Sequence, residues 1–186
     1  MHKIRLRFSL PAAIWITLWL IYAENGSAEN SICAAVFHEL GHLTVLFCLH
    51  DLPRSICFGA FGMRIERQER VRLSYIQEFW AAAAGPAVNL ILGTALLLCG
   101  RQSAAKVHYL LAGFNLLPVR PMDGGQMLYA LFCMRRTPEQ AAHLCKKIAV
   151  GGIVPLTALS LWCFAHGKGN YSLLLSLLYV SSLLLP

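Results

Sequence analysis

Residues 31 to 49 read SICAAVFHELGHLTVLFCL, and this stretch places His38, Glu39 and His42 inside an apolar run. The run is close to the roughly 20 residues that a helix needs to cross a bilayer. Ionisable side chains are costly inside a membrane unless they pair or bind something, so they are candidate functional groups. The alternative is a polar cluster that only packs helices together. The stretch therefore predicts a membrane helix that carries chemistry.

The composition of the whole chain also indicates a membrane protein. Of the 186 residues, 57% are hydrophobic and 13% are charged, which is more apolar than a soluble globular domain allows. We expect an all-α polytopic membrane protein that forms a single domain over residues 1–186. Apolar runs predict about six membrane helices, over residues 8–23, 31–49, 79–99, 107–134, 148–165 and 171–185.

The basic residues predict the orientation of the chain rather than a nucleic-acid partner. The net charge is +7, but the lysines and arginines cluster in short stretches between apolar runs, as in cytoplasmic loops of membrane proteins. This bias favours both termini in the cytoplasm of a multi-pass protein in the cell membrane. The expected partners therefore include the lipid bilayer and exclude nucleic acid.

The N-terminal segment has a second interpretation. Its basic start, its apolar run and the small residues Gly26, Ser27 and Ala28 also resemble a cleavable signal peptide. Cleavage would leave the predicted orientation of the later spans unchanged.

A short segment between the second and third apolar runs differs from the rest of the chain. Residues 63–66 and 71–75 alternate apolar and polar, with polar residues 67–69 between them. Alternation with a period of two is typical of strands, so we predict a small β-hairpin here. It is either a solvated hairpin or an edge to which an extended peptide adds as a strand, and the sequence leaves both open.

The fourth apolar run is too long for one regular span, and it contains Pro118, Pro121, Gly124 and Gly125. Proline removes a backbone donor and restricts the residue before it, so these residues predict a broken helix. Irregular backbone at membrane depth occurs only where it is buried in protein or lines a wet cavity. We therefore expect a functional site at the break.

Residues 38–42 fit the pattern H-E-x-x-H, in which histidines four residues apart share a helix face and can hold one zinc ion. A zinc site needs a further ligand, and Glu39 and Asp123 are the acids that lie well inside the predicted spans. We expect Asp123, at the helix break, to supply it. Two histidines and one carboxylate leave the fourth position open, which is typical of a catalytic rather than a structural zinc site.

Three motifs in this order resemble the site-2 protease family of intramembrane zinc metalloproteases. They are HELGH at 38–42, AGPAVN at 84–89 and NLLPVRPMDGG at 115–125. The chain looks most like the stage IV sporulation FB type, mainly over residues 30–135. The resemblance implies that His38, His42 and Asp123 bind zinc and that Glu39 activates the water.

The resemblance also implies a substrate, namely a membrane-tethered protein that is cut within or near its transmembrane segment. Regulated intramembrane proteolysis of this kind includes sporulation-related precursor processing, and membrane regulatory proteins are further expected partners. Asn115 matches a family asparagine near the scissile peptide, whereas Asn89 matches a position that varies in the sporulation type. The CBS domain that usually follows the last span of that type has no counterpart in this sequence, so ATP-responsive control is not implied.

One alternative from another class is a membrane metal-ion carrier or helix-packing subunit that is not an enzyme. A carrier needs ligands along a path through several spans, whereas the predicted ligands lie on two. We therefore expect an intramembrane zinc metalloprotease. Arg120 is expected to reach the cytoplasmic interface rather than pair with Asp123, and His108 is expected near the membrane interface.

Overall fold

The computed structural model describes residues 5–8, 27–50, 55–59, 62–66, 73–120, 122–166, 177–178 and 180–182. Within these residues, three helices are long and apolar enough to cross a membrane: Glu29–Cys48, Tyr75–Leu98 and Pro138–Ala165. This confirms a helical membrane protein. The predicted span over 8–23 lies almost wholly outside the described residues, and the one over 171–185 lies largely outside them.

The first unit of the chain, Met1–Gly113, contains α1 (Ser27–Cys48), α2 (Tyr75–Leu98) and most of α3 (Gln102–Asn115). Helices α1 and α2 approach each other closely at Gly41. A Cβ atom at this position would lie 2.7 Å from the carbonyl oxygen of Ala84. Small residues allow such close approach between membrane helices. This contact brings the H-E-x-x-H face of α1 against α2.

Large apolar side chains cover the outside of α1 and α2. Phe47 is 68% exposed, Ile91 is 67% exposed and Leu98 is 84% exposed. Large apolar side chains with such exposure are expected where a helix faces lipid.

Both ends of α2 follow local sequence signals. The backbone N–H of Ser74 donates a hydrogen bond to Oε1 of Gln77 at 2.9 Å, as in a capping box. At the other end Gly100 has a φ of +75°, which favours glycine, and the chain then turns into α3.

A three-stranded sheet accompanies the helices of the first unit, where the sequence predicts a small two-stranded hairpin in an otherwise helical protein. Strands β1 (Arg5–Phe8), β2 (Ser55–Gly59) and β3 (Gly62–Glu66) lie in that order, with β1 parallel to β2 and β2 antiparallel to β3.

The antiparallel pair of strands lies earlier in the chain than the predicted hairpin. The predicted strand over residues 63–66 falls within β3, but its partner is β2 rather than residues 71–75, of which 71 and 72 lie outside the described residues. The prediction is wrong for residues 74 and 75, because Ser74 caps α2 and Tyr75 is the first residue of that helix. The capping box, rather than the alternating pattern, therefore determines the structure at Ser74 and Tyr75.

The second unit, Phe114–Pro186, contains α4 (Asp123–Cys133) and α5 (Pro138–Ala165). Its core consists of apolar side chains from the segment before α4, from α5 and from the C-terminal part of the chain: Val119, Met122, Ala149, Ile153 and Val180. The predicted span over 148–165 is part of α5, which begins ten residues earlier. Thr137 caps that start by accepting from the backbone N–H of Gln140, and Pro138 occupies the first turn.

The predicted break in the fourth apolar run is confirmed. Helix α3 ends at Asn115 and α4 begins at Asp123, so the run over 107–134 is not one helix. Gly124 and Gly125 differ from the prediction, because they lie in the first turn of α4 rather than in the break.

Candidate metal centre

Two histidines of α1 lie one helical turn apart, with their ring centroids 4.8 Å apart and their ring planes nearly perpendicular. The Nε2 atoms of His38 and His42 are 3.2 Å apart, and His38 is only 4% exposed. The Nδ1 atom of His42 donates a hydrogen bond to the carbonyl oxygen of Ala81 on α2, at 2.7 Å. A histidine that binds a metal is commonly oriented in this way, through its other ring nitrogen. Glu39, which follows His38, is half-buried on the same helix.

Space beside the two rings depends on a glycine. A Cβ atom at Gly85 of α2 would overlap Nε2 of His42 and would lie 2.8 Å from Cε1 of His38. Any larger residue would therefore occupy the space beside the ring edges of His42 and His38. This cradle fits a small ion held by the two imidazoles.

A buried asparagine contacts Nδ1 of His38, the ring nitrogen that does not face His42. Asn89 of α2 is fully buried, and its amide nitrogen lies 3.1 Å from Nδ1 of His38. The amide oxygen of Asn89 lies 3.0 Å from Nδ1 of His108, which α3 supplies and which is 3% exposed. His108 is thus buried within the first unit, and its expected place near the membrane interface stays a prediction.

Neither Asn89 nor His108 was predicted from the sequence to support His38. A signal for Asn89 was available, because it follows Gly85 by four residues and so lies on the same face of α2. No comparable signal exists for His108, since its contact depends on how α3 packs on α2.

The acid of the third motif is held by backbone packing. Asp123 is 9% exposed and is the first residue of α4, where the helix dipole favours a negative charge. A Cβ atom at Gly124 would overlap the carbonyl oxygen of Leu116, and one at Gly125 would overlap the carbonyl carbon of Val119. Glycine is therefore required at both positions, and it fixes the start of α4 against residues 116–120.

Two further residues of this region were singled out in the sequence. Asn115 is the half-buried last residue of α3, directly before the break. Arg120 is exposed, and its guanidinium carbon lies 4.3 Å from the ring centre of Tyr129, a cation–π contact.

His38, His42 and Asp123 form a group that could hold a metal ion. Each residue offers one ligand atom, and these atoms lie within 4.8 Å of one another. Two imidazoles and one carboxylate are a donor set that zinc uses in catalytic sites, where a fourth position stays open. The donor chemistry and the cradle at Gly85 both fit the predicted zinc ion.

Known proteins are similar to this chain in sequence, although no family model matches it. The chain is 29% identical to stage IV sporulation protein FB of Bacillus subtilis, over 68% of this chain and 49% of that protein. It is 27% identical to zinc metalloprotease MJ0392 of Methanocaldococcus jannaschii, over 66% of this chain and 43% of that protein. The chain thus spans about half the length of the curated relatives it matches.

A solved structure shares the fold. The site-2 protease from Methanocaldococcus jannaschii matches with a TM-score of 0.66 and 21% identity, over 99% of this chain and 90% of that one. At this identity the likeness concerns the fold alone, and the curated relatives add the likeness in sequence. The chain is therefore similar in sequence to a sporulation protein and to a zinc metalloprotease, and similar in fold to a site-2 protease.

Proposed function

We propose that this protein is an intramembrane zinc metalloprotease that hydrolyses a peptide bond within or near the transmembrane segment of a membrane-tethered protein. The observation that carries the proposal is the group of two histidines and one aspartate beside membrane-length helices. Relatives named as a zinc metalloprotease and as a sporulation protein agree with it. Sporulation-related precursor processing is one setting for such cleavage.

In this proposal His38, His42 and Asp123 are the zinc ligands. When bound, zinc would polarise the scissile carbonyl and lower the pKa of water to about 7. The protein holds its ligands for that task through the Ala81 carbonyl, which orients His42, and through Asn89, which contacts His38. Asp123 is held by the packing of Gly124 and Gly125.

Glu39 is the proposed general base and acid. It lies between the two histidines in the sequence and is half-buried, so its carboxylate is positioned on the same helix as two of the ligands. It would take a proton from the attacking water and pass that proton to the leaving amine. One carboxylate then serves both halves of the reaction.

Asn115 is the proposed substrate-binding residue. A helical substrate shields its own carbonyl groups, so it must be unwound or extended before water can attack. An amide at the end of α3, directly before the break, could hold such an extended segment or stabilise the oxyanion. Strand β3 lies at an edge of its sheet, which keeps strand addition by the substrate open as a second means of extension.

The topology is proposed along with the activity. About six spans, both termini in the cytoplasm of the cell membrane and a single working domain over residues 1–186 agree with the charge pattern and with the apolar helices. Membrane regulatory proteins are the expected partners besides the substrate and the bilayer.

The proposal is tested by comparing the wild-type chain with Glu39→Gln in the native membrane. The variant keeps all three ligands but lacks the base, so it should retain zinc and accumulate an uncut membrane-anchored precursor. General acid–base catalysis contributes about 10²- to 10⁴-fold in rate, and the cleavage rate should fall by at least that much. Cleavage at the wild-type rate would remove Glu39 from the mechanism. Zinc flux into liposomes without cleavage would favour a metal-ion carrier instead.

A further inference from the structure

A continuous line of polar side chains crosses the three helices of the first unit. It runs from His108 on α3 through Asn89 on α2 to His38 and then His42 on α1, with spacings of 3.0, 3.1 and 3.2 Å. Asn89 is 0% exposed and His108 is 3% exposed, so water does not replace these partners. Buried polar groups of this kind are retained only with their hydrogen bonds made.

The last member of the line has a fixed tautomer. The carbonyl oxygen of Ala81 can only accept, so Nδ1 of His42 must carry a proton and donate it at 2.7 Å. Neutral His42 then has a bare lone pair on Nε2. This is the tautomer that a metal ligand needs at that nitrogen.

His38 has the opposite tautomer in the arrangement that the structure shows. The amide nitrogen of Asn89 faces Nδ1 of His38 and donates to it, so Nδ1 is unprotonated and the ring proton lies on Nε2. That Nε2–H points at Nε2 of His42, which accepts it. A ring nitrogen that binds a metal carries no proton, so zinc binding requires the proton of His38 to move to Nδ1.

We propose that Asn89 and His108 are positioning residues that set the tautomer of His38 through a reversal of the Asn89 amide. This inference rests on the proposed function, in which His38 binds zinc through Nε2. Turning the amide by about 180° exchanges its oxygen and nitrogen, which have nearly the same size. The oxygen then accepts from Nδ1–H of His38, and the nitrogen donates to Nδ1 of His108.

The protons balance within the line. His38 exchanges an Nε2–H for an Nδ1–H, and His108 exchanges an Nδ1–H for an Nε2–H, so neither ring gains or loses a proton. An asparagine suits this role because one end of its side chain donates and the other accepts. Leucine offers neither, and aspartate offers acceptors alone.

The first test measures zinc affinity of the purified full-length protein in detergent, by competition with a chromophoric chelator. Loss of a hydrogen bond behind a ligand typically costs about 10- to 100-fold in metal affinity, and Asn89→Leu should weaken zinc binding by that factor. Asn89→Asp should stay within a few-fold of wild type, because its carboxylate accepts from Nδ1–H of His38. Asn89→Asp as weak as Asn89→Leu would overturn the proposal.

A matched control removes a hydrogen bond between the same two helices without touching His38. Oη of Tyr109 on α3 lies 3.0 Å from Oγ1 of Thr94 on α2. Tyr109→Phe should bind zinc as wild type does. A loss in Tyr109→Phe equal to that in Asn89→Leu would show that helix packing alone is responsible, and would overturn the tautomer role.

The second test reads the tautomer directly, by ¹⁵N NMR of the histidine rings, with the His38 signals identified by their loss in His38→Gln. In wild type the proton of His38 should lie on Nε2 without zinc and on Nδ1 with zinc, whereas in Asn89→Asp it should lie on Nδ1 in both. A bare Nδ1 in the zinc-loaded protein would overturn the proposal.

The failure of this inference is distinguishable from the failure of the proposed function. If wild type and Tyr109→Phe bind no zinc, the zinc centre itself is wrong and the tautomer role falls with it. If both bind zinc and Asn89→Leu binds it equally well, the centre stands and only the role of Asn89 is overturned.

Discussion

The two regions that supply the predicted ligands hold them by different means. On α1, the histidines belong to a regular helix, and side-chain hydrogen bonds to Ala81 and Asn89 orient them. At the start of α4, the acid follows a break in the helix, and close backbone packing at two glycines holds it. The first region should therefore be sensitive to changes of donor and acceptor, and the second to added volume.

Gly124→Ala should have the largest effect on stability. Its Cβ would meet the backbone carbonyl of Leu116, which cannot move aside as a side-chain tip can. Overpacking of this kind costs about 1–3 kcal/mol, and the start of α4 would shift with Asp123. We expect a lower melting temperature in detergent together with weaker zinc binding. A variant with wild-type melting temperature and zinc affinity would show that backbone packing does not hold the acid.

Gly85→Ala should separate zinc binding from stability. Here the added Cβ meets the ends of the His42 and His38 rings, which are side chains and can turn aside, unlike the carbonyl of Leu116. Turning the rings strains their hydrogen bonds to Ala81 and Asn89, so the melting temperature should fall by less than in Gly124→Ala. Zinc affinity should fall by about 100-fold or more, beyond the usual effect of a supporting residue. Parallel measurements of melting and zinc competition check this. A loss of melting temperature as large as that in Gly124→Ala would contradict the proposed difference between the two regions.

His108→Leu should weaken zinc binding by less than Asn89→Leu does. The substitution leaves the Asn89 amide in contact with His38 and removes only its far partner. We expect a loss of a few-fold, below the roughly 10- to 100-fold expected at Asn89. A chelator competition that ranked the two variants in the reverse order would place the main support of His38 elsewhere.

Gly151→Ala should have the smallest effect. Among the described residues, a Cβ at Gly151, inside α5, would meet nothing within 4 Å. Alanine is favoured over glycine inside a helix by roughly 0.5–1 kcal/mol, so the melting temperature should stay equal or rise slightly and zinc affinity should not change. This variant is the matched control for Gly124→Ala, and a clear loss of stability in it would weaken the volume argument.

Local patterns predicted the site better than they predicted its support. Two signals for the site involve only neighbouring residues and can therefore be recognised in the sequence: the spacing of His38 and His42, and the prolines before Asp123. The contact of Asn89 with His108 joins two helices through their packing, and no short pattern encodes it.

The errors in the fold also have local physical causes. Residues 71–75 alternate like a strand, but the capping box at Ser74 starts α2 instead. The predicted span begins at residue 148, where the apolar run starts, whereas Thr137 and Pro138 start α5 earlier as a helix that extends beyond its apolar part. Hydropathy predicts the membrane segment, and capping determines the length of the helix.

The central claim is that His38, His42 and Asp123 bind one zinc ion, and metal content measured on the purified full-length protein tests it most directly. We predict about one zinc ion per chain in wild type and in Glu39→Gln, as a catalytic site of this donor set requires, and loss of that zinc in His38→Ala and in Asp123→Ala. Unchanged zinc content in His38→Ala and Asp123→Ala would contradict the claim.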